Sequence, residues 1–413
     1  MKTRRLFAAL LLFSAYCPAQ EALTFRGNAG DAVLLHHQID FNQLPGPEAT
    51  PSADRPSRVV PHPDDAVLHL PQGFEITVFA DGLDTPRWLA QAPNGDVFVA
   101  ESRASRVDIL RDPKGTGHAT ERYVFAEGLK QPFGMAFHGD YLYVGDTDAV
   151  VRMRYRAGQV RSEGKPEQVI GLPGEGYRQH WTRNLLFSRD GSKLYVTIGS
   201  QSNDTPEPDP RRAAINQYNA DGSGHRLFAT GLRNPVGLAF YPGTDTLWTT
   251  VNERDGMGED LPPDYVTSVQ DGGFYGWPYA YLGPHSDPAH GGERDDLVKK
   301  TMAPDVLIQA HSAVLGLAFY QGSMFPDEYR GDAFVALHGS WNRAQLTGYK
   351  IIRIRFKDRK PIGGYEDFIT GWSPSPEDRR VWGRPVGLLV LADGSLLIAD
   401  DGGDRIWRVT YRK

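Results

Sequence analysis

A hairpin motif recurs six times along this chain, and the repeat limits the folds that the chain can adopt. Each copy has a short apolar run, a turn rich in aspartate, asparagine and glycine, and a second β-type run. The copies can be aligned at Leu89, Gly134, Leu185, Gly237, Gly316 and Gly387. Repeats of several short strands are typical of propellers, whose four-stranded blades need roughly 40–50 residues. The repeat therefore predicts an all-β fold, a six-bladed β-propeller.

The intervals between the copies indicate where the propeller carries extra loops. The first copies follow one another at roughly 50 residues, which is one blade each, but the last two intervals are longer. We expect six blades between about Leu68 and Lys413, with additional loops in 252–310 and 339–380. Two β-sandwiches are the alternative, but they would not explain a single motif that recurs throughout.

The N-terminal residues have the pattern of an export signal. A basic start precedes the apolar run 6–13, and Ala19 is a suitable last residue before cleavage. The run is too short to span a bilayer, which needs roughly 20 residues, and no second apolar stretch suggests a membrane span. We predict a signal peptide over 1–19 and a periplasmic or secreted protein. A lipid anchor at Cys17 is a less favoured alternative.

Composition separates a leader from the globular domain. Residues 20–66 combine several prolines with polar residues, which is typical of an extended or poorly ordered leader. We expect 67–413 to form the propeller. Cys17 is the only cysteine, so a large hydrophobic core must hold the mature protein without disulfides. The net charge of −6 and the lack of basic runs argue against nucleic acid as a partner.

The start of each inner strand should face the propeller axis. The polar or charged residues at or just before these starts are Arg87, Gln131, His180, Arg233, His311 and Arg384. Three arginines that meet at one axis would repel one another. Either each arginine pairs with an acidic neighbour from the next blade, or the set binds an anion, since arginine suits bidentate contact with carboxylate or phosphate. For the set, we favour an anionic ligand.

Five motifs occur in order along the repeats. They are QHWTRN at 179–184, GLRNP at 231–235, GGFYGWP at 272–278, HSAVLGLAFY at 311–320 and GSWNR at 339–343. Together they resemble the soluble sugar dehydrogenases that use pyrroloquinoline quinone (PQQ), the glucose/sorbosone dehydrogenase family, over roughly 70–412. The sorbosone-type branch is the more similar one. The resemblance implies a six-bladed propeller that binds PQQ, a tricarboxylate quinone, together with a calcium ion at the top of its channel.

The resemblance also implies an activity and a general base. The chain would oxidise an aldose or a sugar aldehyde and pass the electrons to an external acceptor. His180 would take the proton from a substrate hydroxyl as hydride leaves the same carbon for the quinone. A base works best with a pKa near the working pH, so we expect the rate to rise with pH as His180 loses its proton.

The same resemblance implies cofactor contacts, and one of them is altered in this chain. Arg233 and Asn234 match a cofactor-contacting pair, and Arg384 matches the second of two arginines, the first of which falls on Trp382. Gln131 is a further candidate contact. A family lysine falls at Asn342, and we expect the neighbouring residue to replace it. That residue is Arg343.

Calcium and the orientation of the base depend on further departures from the family pattern. Calcium takes oxygen ligands, including main-chain carbonyls. In the family two adjacent carbonyls contribute, and they fall on Arg254 and Asp255, where the family's glycine and proline are absent. The aspartate that lies near the base in the glucose-type branch is Ser200 here. Any acid that orients His180 must therefore be another residue.

Two other classes of function remain as alternatives. The first is a secreted propeller that only binds glycans or proteins, which would need neither a base histidine nor converging arginines. The second is a metal-dependent lactone hydrolase on a six-bladed propeller. That enzyme would need carboxylates and an asparagine around the axis, whereas this sequence places arginines there.

Overall fold

The repeated motif forms the inner strands of each blade, and tight turns join them. A computed structural model of the protein describes residues 28–29, 35–174 and 180–412. The first strand of each blade packs beside the first strands of its neighbours, around a common axis. Gly95 and Gly394 lie at φ values of +93° and +86° in two of the hairpin turns, a conformation that glycine adopts without strain.

The first three blades follow the order of the chain and pair antiparallel. Blade 1 consists of Pro86–Gln91, Val97–Glu101, Arg106–Arg111 and Glu121–Glu127. Blade 2 consists of Met135–His138, Tyr141–Asp146, Ala149–Arg154 and Glu167–Gly171. Blade 3 consists of Leu185–Phe187, Lys193–Ile198, Ala214–Asn219 and Arg226–Thr230, with Gly273–Phe274 as a short parallel fifth strand.

The last three blades include strands from distant parts of the chain. Blade 4 consists of Asn234–Phe240, Leu247–Asn252, Asp264–Val269 and Val306–Ile308. Blade 5 consists of Val314–Phe319, Ala333–Leu337, Lys350–Ile354 and Tyr365–Ile369, with His36–His37 at its outer edge. Blade 6 consists of Pro385–Val390, Leu396–Asp400, Arg405–Tyr411 and Phe74–Ala80. The six sheets confirm the predicted six-bladed β-propeller.

Short elements connect or flank the blades. Further strand pairs are Arg58–Val59 with Arg380–Val381, Ala280–Tyr281 with His285–Ser286, and Phe356–Lys357 with Lys360–Pro361. Asn28–Ala29 pairs with His69–Leu70. The helical segments are the 3-10 turns Phe41–Gln43, Pro288–His290 and Asp327–Tyr329 and the α-helix Asp295–Val298. In the part of the chain that the structure describes, no helix has the length and apolar character needed to cross a membrane.

The described part of the leader, 35–66, runs along the propeller and contacts its loops. The Glu48 N–H donates to the carbonyl of Met257 at 2.8 Å. Arg58–Val59 adds a short parallel pair to Arg380–Val381. The boundary between leader and propeller stays a prediction. The expected signal peptide, 1–19, and its cysteine lie outside the described residues.

Blade 6 closes the ring because its outer strand comes from the start of the domain. Phe74–Ala80 pairs antiparallel with Arg405–Tyr411, so the two ends of the propeller are hydrogen-bonded to each other. Phe74 is buried, and its ring lies 4.8–5.1 Å from four other aromatic rings, those of Phe325, Tyr329, Phe368 and Tyr411. This cluster ties the closing strand to blade 5 as well as to blade 6.

We expect Phe74→Ala to destabilise the protein by roughly 3–5 kcal/mol, because a buried aromatic ring is removed from the strand that closes the ring. Urea unfolding followed by tryptophan fluorescence measures the loss. The matched control is Glu75→Ala in the same strand, which removes a solvent-exposed ion pair with Arg412 and should change stability little. Equal stabilities of Phe74→Ala and the wild type would contradict this role of the closing strand.

Candidate functional site

A cavity of about 210 Å³ opens at the end of the axis where the inner strands begin. The residues expected at this end from blades 1, 3, 4, 5 and 6 all line it: Arg87, His180, Arg233, His311 and Arg384. Each lies at the start of an inner strand or just before one, because these starts meet at the propeller axis. The structure thus brings together all but one of the residues that the repeat placed at the axis.

Two of the three cavity arginines have carboxylate partners. The guanidinium of Arg87 donates to Asp401 of the neighbouring blade 6 and lies 5.2 Å from the ring of Trp181. Arg233 donates to the carbonyl of Glu253 at 2.7 Å and to the carboxylate of Asp255 at 3.3 Å. These two arginines therefore pair with acidic residues, which was one of the two alternatives drawn from the sequence. Only Arg87 pairs with the next blade, because Asp255 belongs to the same blade as Arg233.

Arg384 differs from the other two arginines. It donates to the main-chain carbonyls of His338 and Gly339 at 3.3 and 3.5 Å. Within 35–174 and 180–412, no carboxylate lies within ion-pair distance of its guanidinium. A cavity-facing guanidinium without a counter-ion is suited to an anionic ligand.

His180 is held by hydrogen bonds that define its tautomer. Its Nδ1 lies 2.9 Å from the carbonyl oxygen of Ser200 and 3.0 Å from the Ser200 hydroxyl. That hydroxyl donates its own proton to the carbonyl of Ser202 at 2.6 Å. Because a carbonyl can only accept, Nδ1 carries the proton, and Nε2 is the basic atom of the neutral ring. Ser200 thus orients the imidazole without a carboxylate.

The environment of His180 keeps its imidazole neutral. The residue is only 8% exposed. Burial and the nearby charge of Arg233 lower the pKa of His180 well below its ordinary value. This differs from the sequence-based expectation of a pKa near the working pH. The lowered pKa favours the neutral ring at neutral pH.

Close backbone packing places Asn234 beside His180. A Cβ atom on Gly199 would lie 2.3 Å from Oδ1 of Asn234 and 2.7 Å from Cβ of His180. Only glycine allows the end of the blade 3 strand to pass between these two side chains. The Oδ1 atom of Asn234 is buried and accepts no hydrogen bond from the described residues, so it can accept one from a ligand.

Asp255 joins several polar groups on the opposite wall of the cavity. Besides Arg233, it accepts a hydrogen bond from Nδ2 of Asn342 at 2.6 Å and lies 3.5 Å from Nδ1 of His311. Burial alone would raise the pKa of Asp255, but His311 and Arg233 lower it. His311 adopts φ +66°, a strained conformation for a residue that is not glycine, and its Nε2 contacts the carbonyl of Gly258 at 2.9 Å.

A third imidazole in the cavity, that of His338, was not expected from the sequence. Nε2 of His338 lies 2.8 Å from Oδ1 of Asp401, and Arg87 donates to Oδ2 of the same carboxylate. Burial, assisted by Arg384, lowers the pKa of His338 to about 4. Burial alone would raise the pKa of Asp401, but His338 and Arg87 hold it well below its ordinary value. A signal was present in the sequence, since His338 is the polar residue that ends the second strand of its motif.

Two residues expected at the site do not line the axial cavity, and a third, Arg254, was expected to contribute only its main-chain carbonyl. Gln131 is exposed, adopts φ +52° and does not line the cavity. Arg343 donates to Asp260 at 2.9 Å and lines a separate polar cavity of about 250 Å³, while the preceding Asn342 faces the axis. The side chain of Arg254 pairs with Asp287 at 2.7 Å, away from the axis.

The proposed calcium carbonyls are in unequal environments. The carbonyl of Asp255 accepts hydrogen bonds from Asn203 at 2.9 Å and from the side chain of Arg254 at 3.2 Å. The carbonyl of Arg254 accepts none from the described residues. Across the described ranges, no three His, Cys, Asp or Glu side chains are gathered so as to hold a metal ion. A calcium ion here would depend on main-chain oxygens and on oxygens brought by a ligand.

Comparisons with known proteins agree with this architecture. A protein of Borreliella burgdorferi is 28% identical over 361 residues, which cover 84% of this chain and 92% of that protein. The PQQ-dependent pyranose dehydrogenase of Coprinopsis cinerea is 23% identical over 411 residues, covering 82% of this chain. This chain spans only 54% of that dehydrogenase.

The structural comparison concerns the same dehydrogenase. The holo form of its PQQ domain superposes with a TM-score of 0.71 at 20% identity, covering 85% of this chain and 98% of that domain. These matches confirm the resemblance to soluble PQQ sugar dehydrogenases, whereas the sorbosone-type branch stays a prediction. A family model described as TrAA12-like matches residues 68–270 and 286–412. Because this match covers most of the sequence, the chain belongs to the TrAA12-like family.

Proposed function

We propose that this chain is a PQQ-dependent oxidoreductase that acts on a sugar, either an aldose or a sugar aldehyde. The observation that carries the proposal is an axial cavity in which Arg384, whose guanidinium forms no ion pair with the described residues, lies with a buried neutral imidazole, His180. Membership of the TrAA12-like family and similarity to a PQQ-dependent pyranose dehydrogenase support it. A propeller that only binds glycans would not need the imidazole.

The cavity suits an anion with several polar atoms. Arg384 can pair with a carboxylate, and Arg233 and Arg87 add positive charge nearby. Four buried polar atoms in the cavity wall have no hydrogen-bond partner among the described residues: Nε of Arg87, Oγ1 of Thr182, Oδ1 of Asn234 and Oε1 of Glu253. Unsatisfied buried groups cost free energy, so a polar ligand that bonds to them would be favoured. PQQ, when bound, supplies a quinone that accepts hydride.

His180 would act as the general base in this proposal. Its Nε2 is the basic atom because Nδ1 donates to Ser200, and its lowered pKa keeps the ring ready to accept a proton. A substrate hydroxyl that reaches Nε2 would transfer its proton there while the same carbon gives up hydride. Ser200 would hold the tautomer throughout, and the nearby Asp255 would stabilise the imidazolium that forms.

Calcium, the sugar and the location of the protein complete the proposal. Calcium takes six to eight oxygen ligands, and the Arg254 carbonyl is one available donor. The remaining ligands must include oxygens of the bound anion and water, so the two would bind together. We further propose a sorbosone-like sugar, an external electron acceptor and a periplasmic or secreted location. The last rests on the N-terminal sequence pattern.

Arg384→Ala should weaken PQQ binding at least about thirtyfold, because truncation leaves a buried carboxylate of the ligand without its charged partner. Calorimetric titration of the purified apo-protein with PQQ in the presence of calcium measures the affinity. Wild-type protein loaded in this way should reduce an artificial acceptor dye when aldoses or sugar aldehydes are added. Failure of the wild type to bind PQQ would refute the proposed function.

Two further arginine variants act as controls for the PQQ titration. Arg226→Ala removes an exposed arginine that pairs with Asp271 and lies in the outer strand of blade 3. This variant should leave the affinity for PQQ unchanged. Arg343→Ala tests the sequence-based assignment directly. If Arg343→Ala weakens binding as much as Arg384→Ala does, Arg343 contacts the cofactor despite its place in the second cavity.

PQQ and calcium should each raise the affinity of the protein for the other. The bound anion would supply oxygen ligands for calcium, and the calcium ion would supply positive charge for the anion. Such coupling is reciprocal. Calorimetry should show weak calcium binding to apo-protein, and PQQ titrations should give a tighter affinity with calcium than with EDTA. Magnesium serves as the control cation, since it demands a stricter octahedral shell. Equal PQQ affinities in calcium and in EDTA would contradict a calcium requirement.

His180→Asn should lower kcat of the loaded enzyme at least about a hundredfold if the imidazole is the base. Since burial lowers its pKa, the wild-type rate should remain high at neutral pH and fall only as the pH drops below the ordinary histidine pKa of about 6.5. NMR titration of the apo-protein, with His180→Asn to identify the resonance, measures the pKa. Ser200→Ala is the matched variant and should lose less, because the Ser200 carbonyl still accepts from Nδ1. Near wild-type turnover in His180→Asn would exclude this base.

A further inference from the structure

Trp341 combines exposure with a place in the cavity wall. It lines the axial cavity, yet 46% of its surface is exposed to solvent. In the described part of the chain, the other exposed large apolar side chains are aliphatic, and none of them lines this cavity. Scattered exposed apolar residues are ordinary on protein surfaces. An indole at the mouth of a polar cavity is different, because it offers a flat apolar face beside charged groups.

A second tryptophan that lines the same cavity, Trp181, has an indole ring that packs against other protein groups. The ring of Trp181 lies 5.2 Å from the guanidinium of Arg87 and meets the ring of Phe133 edge-on at 5.9 Å. Over 35–174 and 180–412, no ring or cation stacks on Trp341. The Trp181 ring is therefore occupied by protein contacts, while the Trp341 ring is open to a ligand.

The backbone that carries Trp341 is fixed on both sides. The Arg55 N–H of the leader donates to the carbonyl of Trp341 at 2.7 Å. Ser340, the residue before it, donates its N–H to Thr347 at 2.9 Å, and Asn342, the residue after it, bonds to Asp255 at 2.6 Å. Such anchoring reduces the entropy lost when a ligand binds to the exposed ring.

We propose that Trp341 is the platform on which the ring of a pyranose substrate stacks at the cavity mouth. This inference rests on the proposed function and narrows the substrate class. A pyranose carries C–H groups on its faces and hydroxyls around its rim. The indole can cover one face, as aromatic side chains do in apolar contacts, while the hydroxyls turn to the polar cavity wall. The platform favours cyclic sugars over open-chain polyols, which lack a face to stack.

The test compares a cyclic sugar that lacks a free anomeric hydroxyl with an open-chain polyol. Saturation-transfer NMR with PQQ-loaded protein measures the binding of methyl β-D-glucopyranoside and of sorbitol, and steady-state kinetics give kcat and KM for a panel of aldopyranoses. Trp341→Ala should raise the Kd of the glucopyranoside and the KM values about tenfold, the size of one aromatic contact. We expect kcat to change less than about threefold, because the variant leaves the base in place.

Three controls separate the platform from other effects. Trp341→Phe keeps an aromatic face and should retain most of the affinity. Ile362→Ala removes another exposed apolar side chain that does not line the cavity and should change nothing. PQQ affinity and melting temperature should be the same in Trp341→Ala and in the wild type.

The outcomes distinguish the platform from the proposed function. If the wild type oxidises aldopyranoses but Trp341→Ala leaves Kd and KM unchanged, the platform is overturned and the proposed function stands. If the loaded wild type oxidises no sugar yet binds the glucopyranoside in a Trp341-dependent way, the platform stands and the proposed function falls. If the wild type binds no pyranose, or binds sorbitol equally well, the platform is overturned.

Discussion

Electrostatic repulsion among the arginines that meet at the axis is the constraint on which this site depends. Arg87 and Arg233 are buried in one cavity, and Arg384 lines it as well. Like charges in a low-dielectric environment repel strongly, so counter-charges must be near. Asp401 and Asp255 supply them for two of the arginines. The third has only main-chain acceptors among the described residues, and we propose that it is the group that pairs with an anionic ligand.

Burial, assisted by the same charges, also sets the state of two of the three histidines in the cavity. His180 and His338 are surrounded by guanidinium groups and shielded from water, and the pKa of each is lowered. The imidazole of His180 is therefore a neutral acceptor without any change of conformation. In our proposal one arrangement serves two purposes, since positive charge that would attract an anion also adds to the burial that lowers the pKa of His180.

The rigidity of the site comes from outside the cavity. The blades supply fixed strand ends, while the loops between the second and third strands of blades 4 and 5 supply Asp255, Trp341 and Asn342. Loops alone hold side chains less precisely than strands do. Here the leader compensates, since Arg55 is hydrogen-bonded to Trp341 and Glu48 to Met257. We infer that the leader belongs to the functional unit rather than acting only as a connection to the N-terminus.

The sequence predicted the fold well because every blade repeats one local pattern, so errors in single strands do not change the count. It also placed five residues at the axis correctly, since strand starts converge by symmetry. Gln131 does not follow this rule, since it is exposed and does not line the cavity. At the GSWNR motif, sequence could not decide which neighbour faces inward, and the structure turns Asn342 to the axis and Arg343 away.

Other features of the site depend on contacts between distant segments, which no local pattern records. His338 joins Asp401 across two blades, and the burial that lowers the pKa of His180 arises from packing against blade 4. The role of Ser200 was missed for a related reason. Its main-chain carbonyl, rather than its side chain alone, receives Nδ1 of His180, and a carbonyl is present whatever the residue type.

The most direct test of this account is a crystal structure of the protein after incubation with PQQ and calcium. The account predicts one PQQ molecule in the axial cavity, with a carboxylate in hydrogen-bond distance of Arg384 and with His180 facing the open side of the quinone. PQQ bound in the second cavity beside Arg343, or an axial cavity that stays free of PQQ at saturating concentration, would contradict it.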